Sequence, residues 1–294
     1  MLQRLRRNTW NWLPSFLEVA ETGSIARASK NLGLTPAAVS RTLRLLEDEL
    51  GEQLFNRVGR SLALNTTGAT LRDAVRAAQR TIDAGLSESL GDPFMGPLRA
   101  TSIGVLTEEF VVPCLTELKG QYPQLVPEHI NVGTSEANTM LARGQIDVAF
   151  YYQHVTTDRV VVQRIGRIGA SVYCGKKHPL FGVKRVTRKK LLEHQFSVPQ
   201  IGATGRVMDG WPPELPRTVG MRITMLRSNL HVCLSGLMLT VLPDVTAAPY
   251  VAKKQLRRFP VSELPDIDVF AARHQSAPER GRVQALIDAV TARL

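Results

Sequence analysis

Four residues with usable chemistry recur on one side of a helical stretch: Ala37, Ser40, Arg41 and Arg44, spaced i, i+3, i+4 and i+7. A small residue allows close approach, a hydroxyl bonds phosphate or a base edge, and a guanidinium pairs bidentately with guanine. Thr35 and Pro36 open the same stretch, while the acids Glu47, Asp48 and Glu49 collect at its far end. That asymmetry suits a helix entering the major groove of duplex DNA by its N-terminal end. An ordinary solvated helix face has a similar composition, so the surrounding elements must decide.

Those elements are three short helical patterns. Leu13, Phe16, Leu17 and Ala20 form the apolar stripe of the first, and Gly23 breaks the chain after it. Ser24 caps a second helix carrying Ile25, Ala28 and Leu32, and Gly33 supplies the turn. Thr35 at the N-cap and Pro36 at the first helical position start the third. Its inner face is Val39, Leu43, Leu46 and Leu50, and Gly51 stops it. Two helices joined by a glycine-containing turn, with the polar stripe on the second, outweigh the solvated-face reading. Arg57 and Arg60 follow in NRVGR, between two short apolar runs; on their own they read as solvated loop charges.

The run from Gly23 to Gly68, GSIARASKNLGLTPAAVSRTLRLLEDELGEQLFNRVGRSLALNTTG, resembles the winged helix-turn-helix of LysR-type transcriptional regulators. The resemblance implies that Thr35, Pro36, Ala37, Ser40, Arg41 and Arg44 face the major groove. It also implies that Ser24 bonds backbone phosphate and that Arg57 and Arg60 lie on the wing, reaching the backbone or minor groove. The chain departs from the family pattern at Pro36, where a polar base reader such as Gln is frequent. It departs again at Asn65, in place of the usual Thr, where Asn caps a helix equally well.

From Thr67 to Leu90 the chain lacks proline and reads as one long helix, about 36 Å in span. Leu71, Val75, Ala78 and Ile82 form the seam of a short coiled coil, with Arg72, Arg76 and Arg80 on the outer side. So narrow a seam needs a partner: either the chain's own body or, as the resemblance implies, the same helix of a second subunit. Gly91, Pro93, Gly96 and Pro97 then mark a hinge. The expected organisation is a winged helix-turn-helix DNA-binding domain over 1–66, a linker or dimerisation helix over 67–92 and an effector-binding domain over 93–294.

Beyond residue 97, apolar strands alternate with helical stretches, a pattern that predicts a parallel sheet with helices on its faces. The strand Asp266–Arg273 and the helix Pro278–Leu294 have no local partner and are expected to return to the first set of strands. Two α/β lobes result, one from about 97–165 plus 266–294 and the other from about 166–265. Tyr122-Pro123, Gly133-Thr134, the run LARGQIDVA, His178-Pro179-Leu180 and Ser235-Gly236 make this region similar to the LysR-type effector domain. The fold class implied is α/β with an N-terminal winged helix-turn-helix and a periplasmic-binding-protein-like two-lobed effector domain. In such a cleft, helix N-termini with free N–H groups meet at strand ends. The candidate effector-binding residues are Thr107, Thr134, Ser135 and Ser228, each a hydroxyl at an expected helix start, with Gln200 and Ile201 after the crossover strand.

Charge adds less than its size suggests. The 294 residues carry a formal +11, yet residues 1–95 hold 12 Lys+Arg against 10 Asp+Glu. Residues 159–192 contain ten Lys+Arg and no acid, which reads as a solvated face, an anion-attracting field or a phosphate contact. Cys114, Cys174 and Cys233 have no metal or redox spacing, the six histidines are scattered, and Walker A, GxGxxG, HExxH and GxSxG patterns are absent. No catalytic residue, metal site or bound cofactor is expected, only a small-molecule co-inducer. No apolar run reaches the roughly 20 residues of a membrane helix, and no secretory signal is recognised, so the expected location is the cytoplasm. The expected function is a sequence-specific DNA-binding regulator switched by a small, possibly anionic effector. Its expected partners are double-stranded DNA, that effector, a second copy in a homodimer or homotetramer, and RNA polymerase, with no membrane. The alternatives are an α/β enzyme with a DNA-binding head and a structural DNA-binding protein with a degenerate cleft.

Overall fold

The apolar spacings of the first fifty residues become three helices: α1 (Thr9–Thr22), α2 (Ile25–Leu32) and α3 (Pro36–Leu50). A two-stranded antiparallel wing follows, β1 (Phe55–Val58) and β2 (Ser61–Leu64), and then the long helix α4 (Thr66–Ser89). The computed structural model describes residues 9–58, 61–89, 93–154, 158–199, 209–275, 277 and 281–294. These group into two units, Met1–Asp92 with Arg143–Gln145, and the rest of Pro93–Leu294.

In the first unit Phe16, Val19, Ala28, Val39, Leu46 and Leu54 are fully buried around one core. The wing is tied to the α1–α2 turn by the Leu62 N–H, which donates to the Gly23 carbonyl at 3.0 Å. Asn65 caps α4: its Oδ1 accepts from the Gly68 N–H at 2.8 Å and its Nδ2 donates to the Gln53 carbonyl at 2.7 Å. Gly68 is required by space, because a Cβ there would sit 2.1 Å from the Leu54 carbonyl oxygen.

The second unit carries two five-stranded sheets. The first uses β3 (Gly96–Ser102), β4 (Leu125–Ile130), β5 (Val148–Tyr151), β6 (Val160–Ile168) and, far along the chain, β12 (Ile267–His274). Its order is β4-β3-β5-β12-β6. A π-helical segment (Leu106–Val111), α5 (Val112–Gln121), α6 (Thr134–Ala142) and the closing α10 (Arg282–Thr291) accompany it. The second sheet, ordered β11-β7-β10-β8-β9, is built from β7 (Ala170–Gly175), β8 (Gln195–Val198), β9 (Thr218–Arg222), β10 (Leu239–Pro243) and β11 (Leu256–Phe259). Helices α7 (Arg188–Leu192), α8 (Leu226–Ser235) and α9 (Asp244–Ala252) join its strands.

The expected return of the C-terminal strand occurs, since β12 lies between β5 and β6. Both sheets are mixed, however, where strand–helix alternation predicts a parallel one. β12 runs antiparallel to β5 and β6, and β7 antiparallel to β10 and β11. The cause is the double crossing between lobes, at Ile168–Ala170 and Phe259–Ile267, which brings each returning strand in from the opposite end. β6 stays in the first sheet to Ile168, beyond the expected change of lobe near 165. α9 and β11, which strand–helix periodicity does not reveal, complete the second lobe.

Candidate nucleic-acid interface and effector cleft

The third helix is set by its first two residues. The Thr35 hydroxyl accepts from the Ala38 N–H at 3.2 Å, and Pro36 occupies the first turn, where its missing N–H costs nothing. The inner positions Val39, Leu43 and Leu46 are buried. One helical face turned inward leaves the other outward, and Thr35, Pro36, Ala37, Arg41 and Arg44 are exposed with Ser40 half-buried. Ser24 caps α2, its hydroxyl accepting from the Arg27 N–H at 3.4 Å, and Arg57 is exposed on the first wing strand. Arg60 lies outside the described residues. The structure thus brings the six groove-facing candidates onto one exposed strip. It adds Glu47, read from sequence only as an acid at the far end of the helix: its Oε1 accepts from the Leu54 N–H at 2.8 Å and pins the start of the wing.

The seam of the long helix divides. Val75 is buried in the first unit's own core, and Leu71 packs against the same core. Arg76, expected on the outer side, donates through Nε and Nη2 to Glu21 of α1 at 3.1 and 2.7 Å. The first half of the seam is therefore covered by the chain itself. Ala78 is half-buried and Ile82 is 50% exposed.

In the second unit, β3, β4 and β5 run parallel, and their C-terminal ends carry the polar groups that the cleft reading requires. Ser102, buried at the end of β3, lies between two partners: Thr107 Oγ1 at 2.9 Å and His129 Nε2 at 2.8 Å. Burial holds the His129 imidazole below its usual pKa, which favours the neutral ring. Thr107 does not cap a helix as expected; the N-cap position is Val105, and the threonine hydroxyl turns inward to Ser102. The helix-start N–H groups are also in use. That of Leu106 donates to Tyr152 Oη at 3.3 Å, and those of Thr107 and Glu108 to the Gly104 carbonyl at 3.1 and 3.3 Å. Glu108 and Glu109 fill the first turn, where the dipole is positive.

Thr134 begins α6 half-buried, with Ser135 exposed beside it. Ser228 is not the start of its helix, as its hydroxyl position suggests; α8 opens at Leu226 with Met225 at the N-cap, and Ser228 is exposed within the first turn. Gln200 and Ile201 lie outside the described residues. On the second lobe the buried Ser197 hydroxyl donates to Asn229 Oδ1 at 2.6 Å, and Asn229 Nδ2 donates to the Ile223 carbonyl at 2.5 Å. The lobes meet where Leu226 and Val245 pack against the first lobe's core and Arg227 Nε donates to Glu108 Oε2 at 2.9 Å. All three cysteines are buried; burial raises the Cys114 thiol, and it raises Cys174 to about 11 and Cys233 to about 12.

Known proteins give this geometry a family. A pattern described as "LysR substrate binding domain" matches residues 91–294, and one described as "Bacterial regulatory helix-turn-helix protein, lysR family" matches residues 10–69. The chain belongs to the LysR-type family of transcriptional regulators. It is 28% identical over 137 residues to the HTH-type transcriptional regulator DgdR of Burkholderia cepacia, an alignment spanning 47% of each chain. An HTH-type transcriptional regulator of Xanthomonas campestris pv. campestris is 27% identical over 297 residues, covering 95% of this chain and 83% of that one. A full-length OxyR variant from Pseudomonas aeruginosa shares the fold of this LysR-type chain with a TM-score of 0.73 at 19% identity, over 98% of this chain and 95% of that one. Among the described residues, no helix of this LysR-type protein is long and apolar enough to cross a membrane.

Proposed function

We propose that this LysR-type regulator acts in the cytoplasm, without enzymatic activity. It binds operator DNA as a homodimer or homotetramer, and an effector seated between its two lobes switches it. The observation that carries the reading is the exposed strip Thr35, Pro36, Ala37, Ser40, Arg41 and Arg44 on a helix whose other face is buried. Ser24 and the wing arginines Arg57 and Arg60 supply phosphate contacts. Paired subunits offer two such helices to half-sites about 34–36 Å apart. Effector binding shifts the balance between lobe arrangements and so the spacing of the heads, which alters DNA bending and contact with RNA polymerase. A fluorescence-anisotropy titration at fixed salt, with the DNA upstream of the protein's own gene, tests the interface. Arg41→Ala weakens binding by about 1–3 kcal/mol, some five- to 150-fold; unchanged affinity removes Arg41 from the base-reading set.

The first-lobe wall favours a particular effector chemistry. At the Leu106 helix start the N–H groups are internally bonded and two glutamates stand in the first turn, so a carboxylate gains little at that end. The Thr107–Ser102–His129 relay instead suits an uncharged hydrogen-bonding group, and Thr134, Ser135, Ser228, Gln200 and Ile201 are the further effector-contact candidates that the reading carries. The Ser102–His129 pair also has the spacing of a nucleophile and its base. Ser102 is buried, though, and no carboxylate among the described residues bonds the imidazole. A thermal-shift screen of small polar molecules separates the two: a regulator is stabilised without turnover, and Ser102→Ala removes the shift. Conversion of a stabilising compound would favour the enzyme reading.

A further inference from the structure

The ten-cation stretch acquires a shape in the tertiary structure. Arg164 and Arg167 are held by Asp268 of the first sheet at 2.7 and 3.1 Å, and Arg188 is paired with Glu263. Lys176 and Lys177, equally exposed and standing immediately after β7 ends at Gly175, differ in having no carboxylate partner among the described residues. The register Leu256↔Gly175 sets the start of β11 beside that end. It therefore brings Lys253 and Lys254, also exposed, to the same corner from the α9–β11 connection.

Both turns are built rather than loose. The His178 N–H donates to the Gly175 carbonyl at 3.0 Å, and the Lys254 and Gln255 N–H groups donate to the Val251 and Tyr250 carbonyls at 2.9 and 2.8 Å. Lys254 holds a left-handed backbone, φ 55°, where glycine or asparagine is the ordinary choice. The C-termini of α8 and α9 end nearby, and their dipoles favour cations in general. Dipoles do not require four ammonium groups left in solvent on two separate connections.

Strand direction then separates the possible partners. Both crossings to the first lobe leave from the other end of this sheet, at Ala170 and Phe259, where β8 and β10 also finish. The corner is thus at the pole of the second lobe away from the crossovers, too far along the sheet to serve a ligand between the lobes. A field of lysines facing solvent suits a polyanion, and lysine, a compact charge without a planar fork, suits phosphates read without regard to sequence.

The geometry points to Lys176, Lys177, Lys253 and Lys254 as a sequence-independent contact for the phosphate backbone of duplex DNA, distinct from the base-reading helix. It rests on the reading that this protein binds DNA and adds a second surface to it. The test is the salt dependence of full-length protein binding to a long random-sequence duplex, followed by anisotropy. Replacing the four lysines by Gln makes the slope of log K against log salt shallower by about 0.9 for each phosphate no longer neutralised, while the four Arg replacements keep it. Slopes that coincide for wild type and the Gln variant overturn the proposal. So does a lysine-dependent association with phosphatidylserine vesicles accompanied by an unchanged DNA slope, which would assign the corner to a membrane surface. Failure of the upstream DNA to bind better than random duplex would refute the base-reading helix and leave this measurement standing by itself.

Discussion

Ile82 tests how the long helix is used, because the structure divides a seam that periodicity leaves uniform. Full burial of an isoleucine side chain is worth about 1.5–3 kcal/mol. Ile82 is 50% exposed in the single chain, so covering the remainder with a partner helix yields about 0.8–1.5 kcal/mol per copy. A two-fold interface uses the residue twice, for about 1.5–3 kcal/mol in all. Ile82→Ala removes most of this and raises the dimer dissociation constant by about 10- to 150-fold. Val75, 6% exposed within its own unit, behaves differently. Val75→Ala costs about 2 kcal/mol of folding stability through reduced burial and a cavity, and leaves association nearly unchanged. Sedimentation equilibrium over a dilution series, paired with urea midpoints, reads both quantities. The reasoning is refuted if Ile82→Ala leaves the dissociation constant where it was. It is equally refuted if Val75→Ala loosens the dimer without lowering the urea midpoint.

Two further outcomes follow from buried titratable groups. His178 accepts the Leu180 N–H through Nδ1 at 3.2 Å, and burial, followed by the neighbouring His194, lowers its pKa to about 4. The unfolded ring binds a proton near the ordinary value, so acidification from about 6.5 toward 4 favours unfolding, by at most about 1.4 kcal/mol per pH unit. His178→Gln should flatten that part of the urea-midpoint profile, and a profile parallel to wild type would deny His178 the role. The thiols of Cys174 and Cys233 are raised by burial to about 11 and 12 and stay protonated at neutral pH. Millimolar-scale iodoacetamide should therefore leave DNA affinity unchanged and both thiols unalkylated in the folded protein, read by peptide mapping; rapid alkylation of Cys174 or Cys233 would refute that reading.

Legibility followed the range of the interactions. The three head helices rest on local rules: Thr35 and Pro36 at one start, glycines at two stops, and inner residues three and four apart. All of these act within a turn or two and can be read without knowing the fold. By the same rules Thr107 reads as another helix-start hydroxyl, and here the local rules do not suffice. The strand end at Ser102 and the imidazole of His129, distant in sequence, draw that hydroxyl inward. His129 itself had no signal in the sequence, since a lone histidine on a strand resembles any other.

By itself, then, the sequence determined where helices start and stop, which face of the third is polar, and that strands and helices alternate behind it. Tertiary contacts assign which positions of the long helix the chain itself covers, since Val75 and Arg76 are placed only once α1 lies against them. It also decided which cations stand together. Lys177 and Lys253 are brought to one corner by an antiparallel pairing between β7 and β11, a non-local pairing to which composition and periodicity are blind. Periodicity reports how each segment divides its own surface, whereas the partner that covers each part depends on chain returns that only the folded topology specifies.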